Sequence, residues 1–480
     1  MKNFLCSLVL TVAFGVGTLV SQTGVQQTDA STGTQASASS AENPAQLSQK
    51  VEELTSLVKQ LQSELTAMKQ QQQPHQGPRG IAEVASTSMP SLHLASLAPV
   101  EDAPAAAAAP APAPEKVSLS GLLGPTTLSG FVDVFYGYNS NQPSTHANQF
   151  HNFDMNSSEI GLNMIELVAD KPVSSDVKVG YHIALGFGQA MNQVNATEFG
   201  PGGTEPNFAQ NLKEAYLEYM APIGKGLQIN VGKFVTPAGA EVIETKDNWN
   251  YTRGILFAWA IPYFHTGLSA KYAFNSKFAL TGYLVNGWNN STETPNNVVN
   301  GNSGKTTGFS AAYTPNSKFT FIENYLVGPE HFLDNSDYRH LSDTVVIYNP
   351  TAKLSLMANY DYGHDRIPSN LVGVPSSAAW WSGIAGYIKY APNDKWAFAT
   401  RGEWFNDHDG VETGNAQHLS EFTFTLQRML AGKLMSRLEF RRDMSNQNTF
   451  PYRDGSFGNF DHQNTVTLGL VYAFSSADAK

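Results

Sequence analysis

The sequence predicts an all-β chain, a transmembrane antiparallel up-and-down β-barrel of about 16 strands, preceded by a short coiled-coil helix and an Ala/Pro linker. Three observations carry this. A short tag recurs where strands end, apolar and polar residues alternate over runs of about ten residues, and the links between runs are short and long by turns. The tag reads Tyr272-Ala-Phe-Asn-Ser-Lys277, Tyr313-Thr-Pro-Asn-Ser-Lys318, Tyr348-Asn-Pro-Thr-Ala-Lys353 and Tyr390-Ala-Pro-Asn-Asp-Lys395, and an apolar residue (Phe278, Phe319, Leu354, Trp396) follows each time. A Tyr closing one strand, a turn, and an apolar residue opening the next make a tight hairpin. Aromatic rings favour the boundary between headgroups and hydrocarbon, so each Tyr would sit in a girdle.

Composition agrees. Charged residues are only 15%, while Gly (40) and aromatics (11%) run high. Mean hydropathy is −0.26, and after the first twenty residues no stretch is long and apolar enough for a membrane helix. Low charge without an apolar span fits strands whose lipid-facing and lumen-facing residues average out. A net charge of −11 argues against nucleic acid as a partner.

Residues 1–21 read as a signal peptide, with Lys2 ahead of the apolar stretch Phe4–Val20. Cys6 comes too early in that stretch to be a lipid-modified cysteine. Once the signal is removed no cysteine is left, which excludes disulfides, thiolate metal sites and cysteine nucleophiles. Residues 22–45 are polar and low in complexity. Across 46–73, Leu47, Val51, Leu54, Val58, Leu61, Leu65 and Met68 form a heptad seam. It reads as a coiled coil between copies of the chain or as a lone amphipathic helix; the marginal stability of short isolated helices in water favours self-association. Val at a with Leu at d leans toward two strands. Residues 74–127 are a disordered Ala/Pro-rich linker, within which Ala103–Pro114 is an extended, semi-rigid spacer.

The barrel is expected over 128–474, with 475–480 as a tail. Its strands fall at 128–138, 159–169, 177–187, 212–220, 227–234, 265–274, 278–287, 307–313, 319–326, 341–348, 354–362, 381–390, 396–405, 418–428, 434–443 and 462–474. Val179, Tyr181, Ile183, Leu185 and Phe187 share one face against Gly180, His182 and Ala184; Val466, Leu468, Leu470, Tyr472 and Phe474 share another. The run 160–168 loses its phase midway, which predicts a bulge. One rim gathers Tyr138, Tyr360, Trp381 and Trp404, the other Tyr272, Tyr313, Tyr390 and Phe474. A soluble β-sandwich also alternates, but it explains neither the two aromatic rims nor the alternating loop lengths. An even strand count puts both ends of the barrel, and with them the coiled coil, in the periplasm.

The segments Glu214-Ala-Tyr-Leu-Glu-Tyr219, Gly232-Lys-Phe-Val-Thr-Pro-Ala-Gly239, Ile261-Pro-Tyr-Phe-His-Thr-Gly267 and Val285-Asn-Gly-Trp288, in this order and spacing, resemble the core of the bacterial outer-membrane porins, specifically the β-barrel porin family (porin-2, OmpL-like) with an N-terminal periplasmic coiled coil. The resemblance covers roughly residues 128–474; Ser475–Lys480 departs from it by following the terminal aromatic, Phe474. It implies an outer-membrane location in contact with lipid, a water-filled channel for small hydrophilic solutes, no cofactor, and a homo-oligomer, with a trimer favoured.

Alternation turns Arg401, Glu403, Arg437, Glu439, Arg441, Lys178, Glu214 and Glu218 inward as pore-lining candidates. Arginines facing lipid instead would cost roughly 2–4 kcal/mol each near the midplane. Some would serve only as ion pairs that stiffen the wall. The longest link, 235–264, carries Glu241, Glu244, Asp247 and Arg253; by resemblance it folds inward and narrows the pore, and otherwise it is a surface loop. The stretch Asn406-Asp-His-Asp-Gly-Val-Glu412 partly matches a calcium loop but is too short for an EF-hand, so it reads as a solvated turn. The histidines lack zinc spacing, and no nucleophile elbow, phosphate loop or dinucleotide fingerprint occurs. Two other readings stay open. One is a barrel enzyme of the lipase or protease type, for which His265, placed near the lower rim, has no evident partner. The other is a structural tether with a plugged barrel.

Overall fold

Tight turns hold the barrel together from below. The computed structural model describes residues 124, 126–197, 208–291, 302–369, 375–453 and 460–479; the expected signal peptide, polar segment, coiled coil and nearly all of the linker lie outside the described residues. Asn275 accepts the backbone N–H groups of Lys277 (2.8 Å) and Phe278 (3.0 Å) on its side-chain oxygen, and Asn393 does the same for Lys395 (3.0 Å) and Trp396 (3.1 Å). Asn316 takes Lys318 (2.9 Å), and at the third tag the Thr351 hydroxyl takes Lys353 (3.2 Å) and Leu354 (3.1 Å). The recurring tag is thus an Asx- or Ser/Thr-turn that caps each hairpin.

The strands are β1 (Thr127–Asn139), β2 (Glu159–Lys171), β3 (Val179–Phe187), β4 (Leu212–Ala221), β5 (Leu227–Val235), β6 (Phe264–Asn275), β7 (Phe278–Val285), β8 (Thr306–Asn316), β9 (Phe319–Pro329), β10 (Tyr338–Thr351), β11 (Leu354–Ile367), β12 (Ser377–Asn393), β13 (Trp396–Asp407), β14 (Gln417–Ala431), β15 (Leu434–Ser445) and β16 (His462–Ser475). Each pairs antiparallel with its sequence neighbours, and β1 closes on β16, so the sheet is a barrel without free edges. The sequence-derived barrel strands all recur, with ends that differ by a few residues. The phase loss at 160–168 is a bulge: Met164 faces Asp133 and Leu162 faces Val134, leaving Asn163 between them.

Side chains sort by the two-residue period. Val466, Leu468, Leu470, Tyr472 and Phe474 point outward and are exposed, while Thr465, Thr467 and Val471 are buried inside. Three placements differ from expectation. Trp381 is not at the outer rim: it is fully buried in the lumen, its indole N–H donating to the Ala260 carbonyl (3.1 Å). Its ring fills the space that a Cβ on Gly363 would need, coming within 1.9 Å of that position. The neighbouring Trp380 takes the outward place and stacks on His408. Lys178 is exposed and lies just ahead of β3, at the short-turn rim rather than on the wall. His265 sits near the start of β6, on the long-loop side, buried against the Gly287 carbonyl (2.8 Å) and the Thr236 hydroxyl (3.3 Å). One outward carboxylate breaks the pattern: Glu323 on β9 accepts hydrogen bonds from Ser342 (2.9 Å) and Thr344 (2.6 Å) on β10.

Candidate pore constriction

The link between β5 and β6, residues 236–263, does not lie over the mouth. Ala238, Ala240, Glu241, Ile243, Thr245, Asn250, Tyr251, Thr252, Arg253 and Leu256 are all buried, and the loop runs inside the barrel. A loop's backbone polar groups have to be satisfied wherever it goes. Here the inward charges of β13 and β15 satisfy many of them, and β1 takes loop side chains.

Arg437 on β15 donates to three loop carbonyls, Thr245 (2.6 Å), Asn248 (2.5 Å) and Asn250 (3.1 Å). Glu439, two residues on, accepts the backbone N–H groups of Tyr251 (2.5 Å) and Thr252 (2.9 Å) and the Thr252 hydroxyl (2.6 Å). Arg441 donates to the Arg253 carbonyl (2.7 Å) and to Asp443 (2.8 Å). On β13, Arg401 forks onto Glu421 (2.7 and 3.1 Å) and reaches Glu241 (2.7 Å) and the Thr252 carbonyl (2.6 Å). Glu403 accepts the Ile255 N–H, and Glu241 accepts that of Gly254 (2.6 Å). From β1, Asp133 receives the Tyr251 hydroxyl (2.8 Å), Thr245 (2.6 Å) and Asn163 (2.6 Å). The Tyr251 ring lies on Gly469 of β16, where a Cβ would come within 2.2 Å of it, so only glycine admits the loop this close. Burial pushes the Tyr251 hydroxyl far above its ordinary titration range, and Asp133 beside it adds to the shift.

The expected site residues therefore divide. Arg401, Arg437, Glu439, Arg441, Glu403, Glu241 and Arg253 meet in one buried network between loop and wall. Glu244 and Glu214 turn instead to Lys213 on β4, which also pairs with Glu166 (2.5 Å). Asp247 pairs with Lys246, next to it in sequence. Glu218 holds the Val173 N–H (3.0 Å) at the short-turn end. The arginines and the loop are in contact, not opposed across open water. Sequence reasoning missed Asp133, Glu166, Glu421 and Asp443, each an inward charge on an alternating strand, and Lys213, which a register shift between β3 and β4 turns inward beside Glu214. The signal was present, but which of many inward charges the loop would use depended on its path.

A second loop completes the packing. In 140–158, His151 bridges Asp154 (2.8 Å) and Asp443 (2.8 Å). Burial and Arg441 oppose its charge, but Asp154 and Asp443 outweigh them and raise His151 to about 8. Asn152 donates to the Ala258 carbonyl (2.8 Å), tying this loop to the first. The turn 406–412 is built around Asp407, whose carboxylate accepts the N–H groups of Val411 (2.9 Å), Glu412 (3.2 Å) and Thr413 (2.7 Å). That carboxylate is a buried cap, not a solvated side chain.

No curated protein sequence matches the chain. Among solved structures, an anion-selective porin from Comamonas acidovorans is 10% identical, covering 73% of this chain and 99% of its own, with a TM-score of 0.50. OmpF of Salmonella typhi, in complex with daunomycin, is 10% identical over 73% of this chain and 97% of its own, with a TM-score of 0.48. At such identity the likeness is one of fold. Residues 125–474 match the family described as "Putative beta-barrel porin-2, OmpL-like", and so cover the whole barrel. The chain belongs to this family of outer-membrane β-barrel porins.

Proposed function

We propose that the barrel is a passive diffusion channel for small hydrophilic solutes in the outer membrane, narrowed by the inward loop 236–263. The observation that carries this is the path of the loop through the lumen, bound to β1, β13 and β15 by the network above. Inward positions on β5 and β8, and at the short-turn end of β12, keep polar, half-buried side chains, among them Gln228, Asn230, Ser310 and Lys389. Among the described residues Lys389 has no carboxylate partner, and its amine lies 5.9 Å from the Trp249 ring. A cationic, aromatic lining there favours anions and polar solutes with an apolar face. The family resemblance and the heptad seam support a homo-oligomer whose coiled coil stands in the periplasm.

One observation favours a plugged barrel instead: lumen-facing Ile322, Val345, Ile347 and Met357 join the same apolar cluster as Ala238 and Ile243 of the loop. Liposome swelling separates the two. Vesicles carrying the purified protein should swell in small sugars and progressively less in larger ones. Swelling no faster than in protein-free vesicles would exclude the channel.

A further inference from the structure

Two strands along the wall from β13, the lumen holds two buried acids with no basic partner. Asp343 on β10 and Asp361 on β11 face each other across the strand pair, with Asn324 on β9 and Ser310 on β8 continuing the same inward row. Both aspartates are fully buried, and Asn324 and Asn359 nearly so. Asn324 donates its amide to Asp343 (2.6 Å); Asn359 donates to the other oxygen of Asp343 (2.7 Å) and to Asp361 (3.2 Å). Among the described residues no donor reaches Asp361 Oδ2 or the Asn324 amide oxygen, both buried, and no ion pair reaches either aspartate. Two buried carboxylates side by side repel each other unless something positive sits with them.

We propose that Asp343, Asp361 and the Asn324 side chain form a binding site for a hard divalent cation, of which Ca2+ fits best. The donors of this cluster are oxygens alone, two carboxylates and an amide, the set that hard cations prefer and zinc does not. Calcium accepts six to eight oxygens in flexible geometry, so waters complete its shell, whereas Mg2+ demands a near-ideal octahedron. A proton shared by the two acids would cancel one charge but would leave the Asn324 oxygen, a second buried acceptor, unserved. The site also reaches the loop: Asn359, held by Asp343, accepts the Ala240 N–H on its own oxygen (3.1 Å). A bound cation would therefore add a second fastening to the loop at Ala240, next to the Glu241 that Arg401 holds, and this holds whether or not the barrel conducts.

The test is calorimetric titration of the detergent-purified, EDTA-stripped full chain with CaCl2. The wild type should bind a buried equivalent that Asp361→Asn lacks or binds at least about tenfold more weakly. Asn324→Ala keeps both acids and should also weaken it. Folding of each variant is checked by heat-modifiable gel mobility; if Asp361→Asn does not fold, Asn324→Ala decides. Identical isotherms for the wild type and a folded variant, or no Ca2+ binding by the wild type, would overturn the site in favour of a shared proton.

Discussion

Replacing Arg401 by Met keeps much of the side chain's bulk and removes its charge and its donors. The pair it makes with Glu421 joins β13 to β14 and persists when the loop leaves, so it contributes nothing to docking. The docking share is Glu241, the Thr252 carbonyl and the Thr252 hydroxyl (3.2 Å). In the variant a docked loop holds Glu241 buried without its cation, whereas a released loop lets water solvate it. Breaking a buried pair by removing one partner costs about 3–5 kcal/mol. Because Glu241 keeps the Gly254 N–H, about 3 kcal/mol is the appropriate end, a shift of about two powers of ten in the docked-to-released ratio. Hydrogen exchange reads this directly, since the amides of Tyr251, Thr252, Gly254 and Ile255 all donate to buried carboxylates. Their exchange should quicken by about a hundredfold in Arg401→Met while the strand amides of β14–β16 stay protected. Exchange in the loop within about threefold of wild type would refute the idea that Arg401 clamps it.

Three further outcomes follow from the same structure. His151 titrates at about 8 when folded against an ordinary 6.5, so its contribution is complete below pH 6.5 and is lost as pH rises through 8; at 1.36 kcal/mol per unit this is about 2 kcal/mol. The melting temperature in detergent should fall across that window in the wild type and stay flat in His151→Gln. Lys389→Gln removes a lumen cation that has no described carboxylate partner and should move the reversal potential in a salt gradient toward cations, more at 0.01 M salt than at 0.1 M, where the Debye length falls from about 30 to about 10 Å. Leu54→Lys with Leu61→Lys places charges in the heptad seam and should lower the mass of the detergent-solubilised complex; an unchanged mass would leave the seam without a role in assembly.

The barrel was legible because its cause is local. A two-residue period, a turn whose Asn or Thr caps the next N–H groups, and aromatic strand ends are all written in neighbouring residues, as at Tyr390–Trp396. Trp381 shows the limit. With Trp380 beside it, the residue type does not reveal which ring faces in, and only the pairing of Trp381 with Gly363 decides. Glu323 fails in the opposite sense: its charge alone suggests the lumen, yet its register puts it outside, where two hydroxyls of β10 hold it. The inward charges on β13 and β15 could be read from alternation, but their partners could not. Arg437 and the carbonyl of Thr245 are 192 residues apart in sequence, and the loop's path decides whether such an arginine faces water or backbone. The Asp343–Asp361 pair was half visible, since alternation turns Asp361 inward, while its neighbour appears only once β10 and β11 are in register.

Loop 236–263 lies in the lumen, where it would set the width of the channel. Single-channel conductance in planar bilayers tests it most directly, comparing the wild type with a variant in which residues 240–258 are replaced by a short Gly/Ser linker. The wild type should give small, discrete steps, and the variant, which keeps every strand, distinctly larger ones. Equal conductance in the two would contradict the account, because the constriction would then lie elsewhere in the barrel.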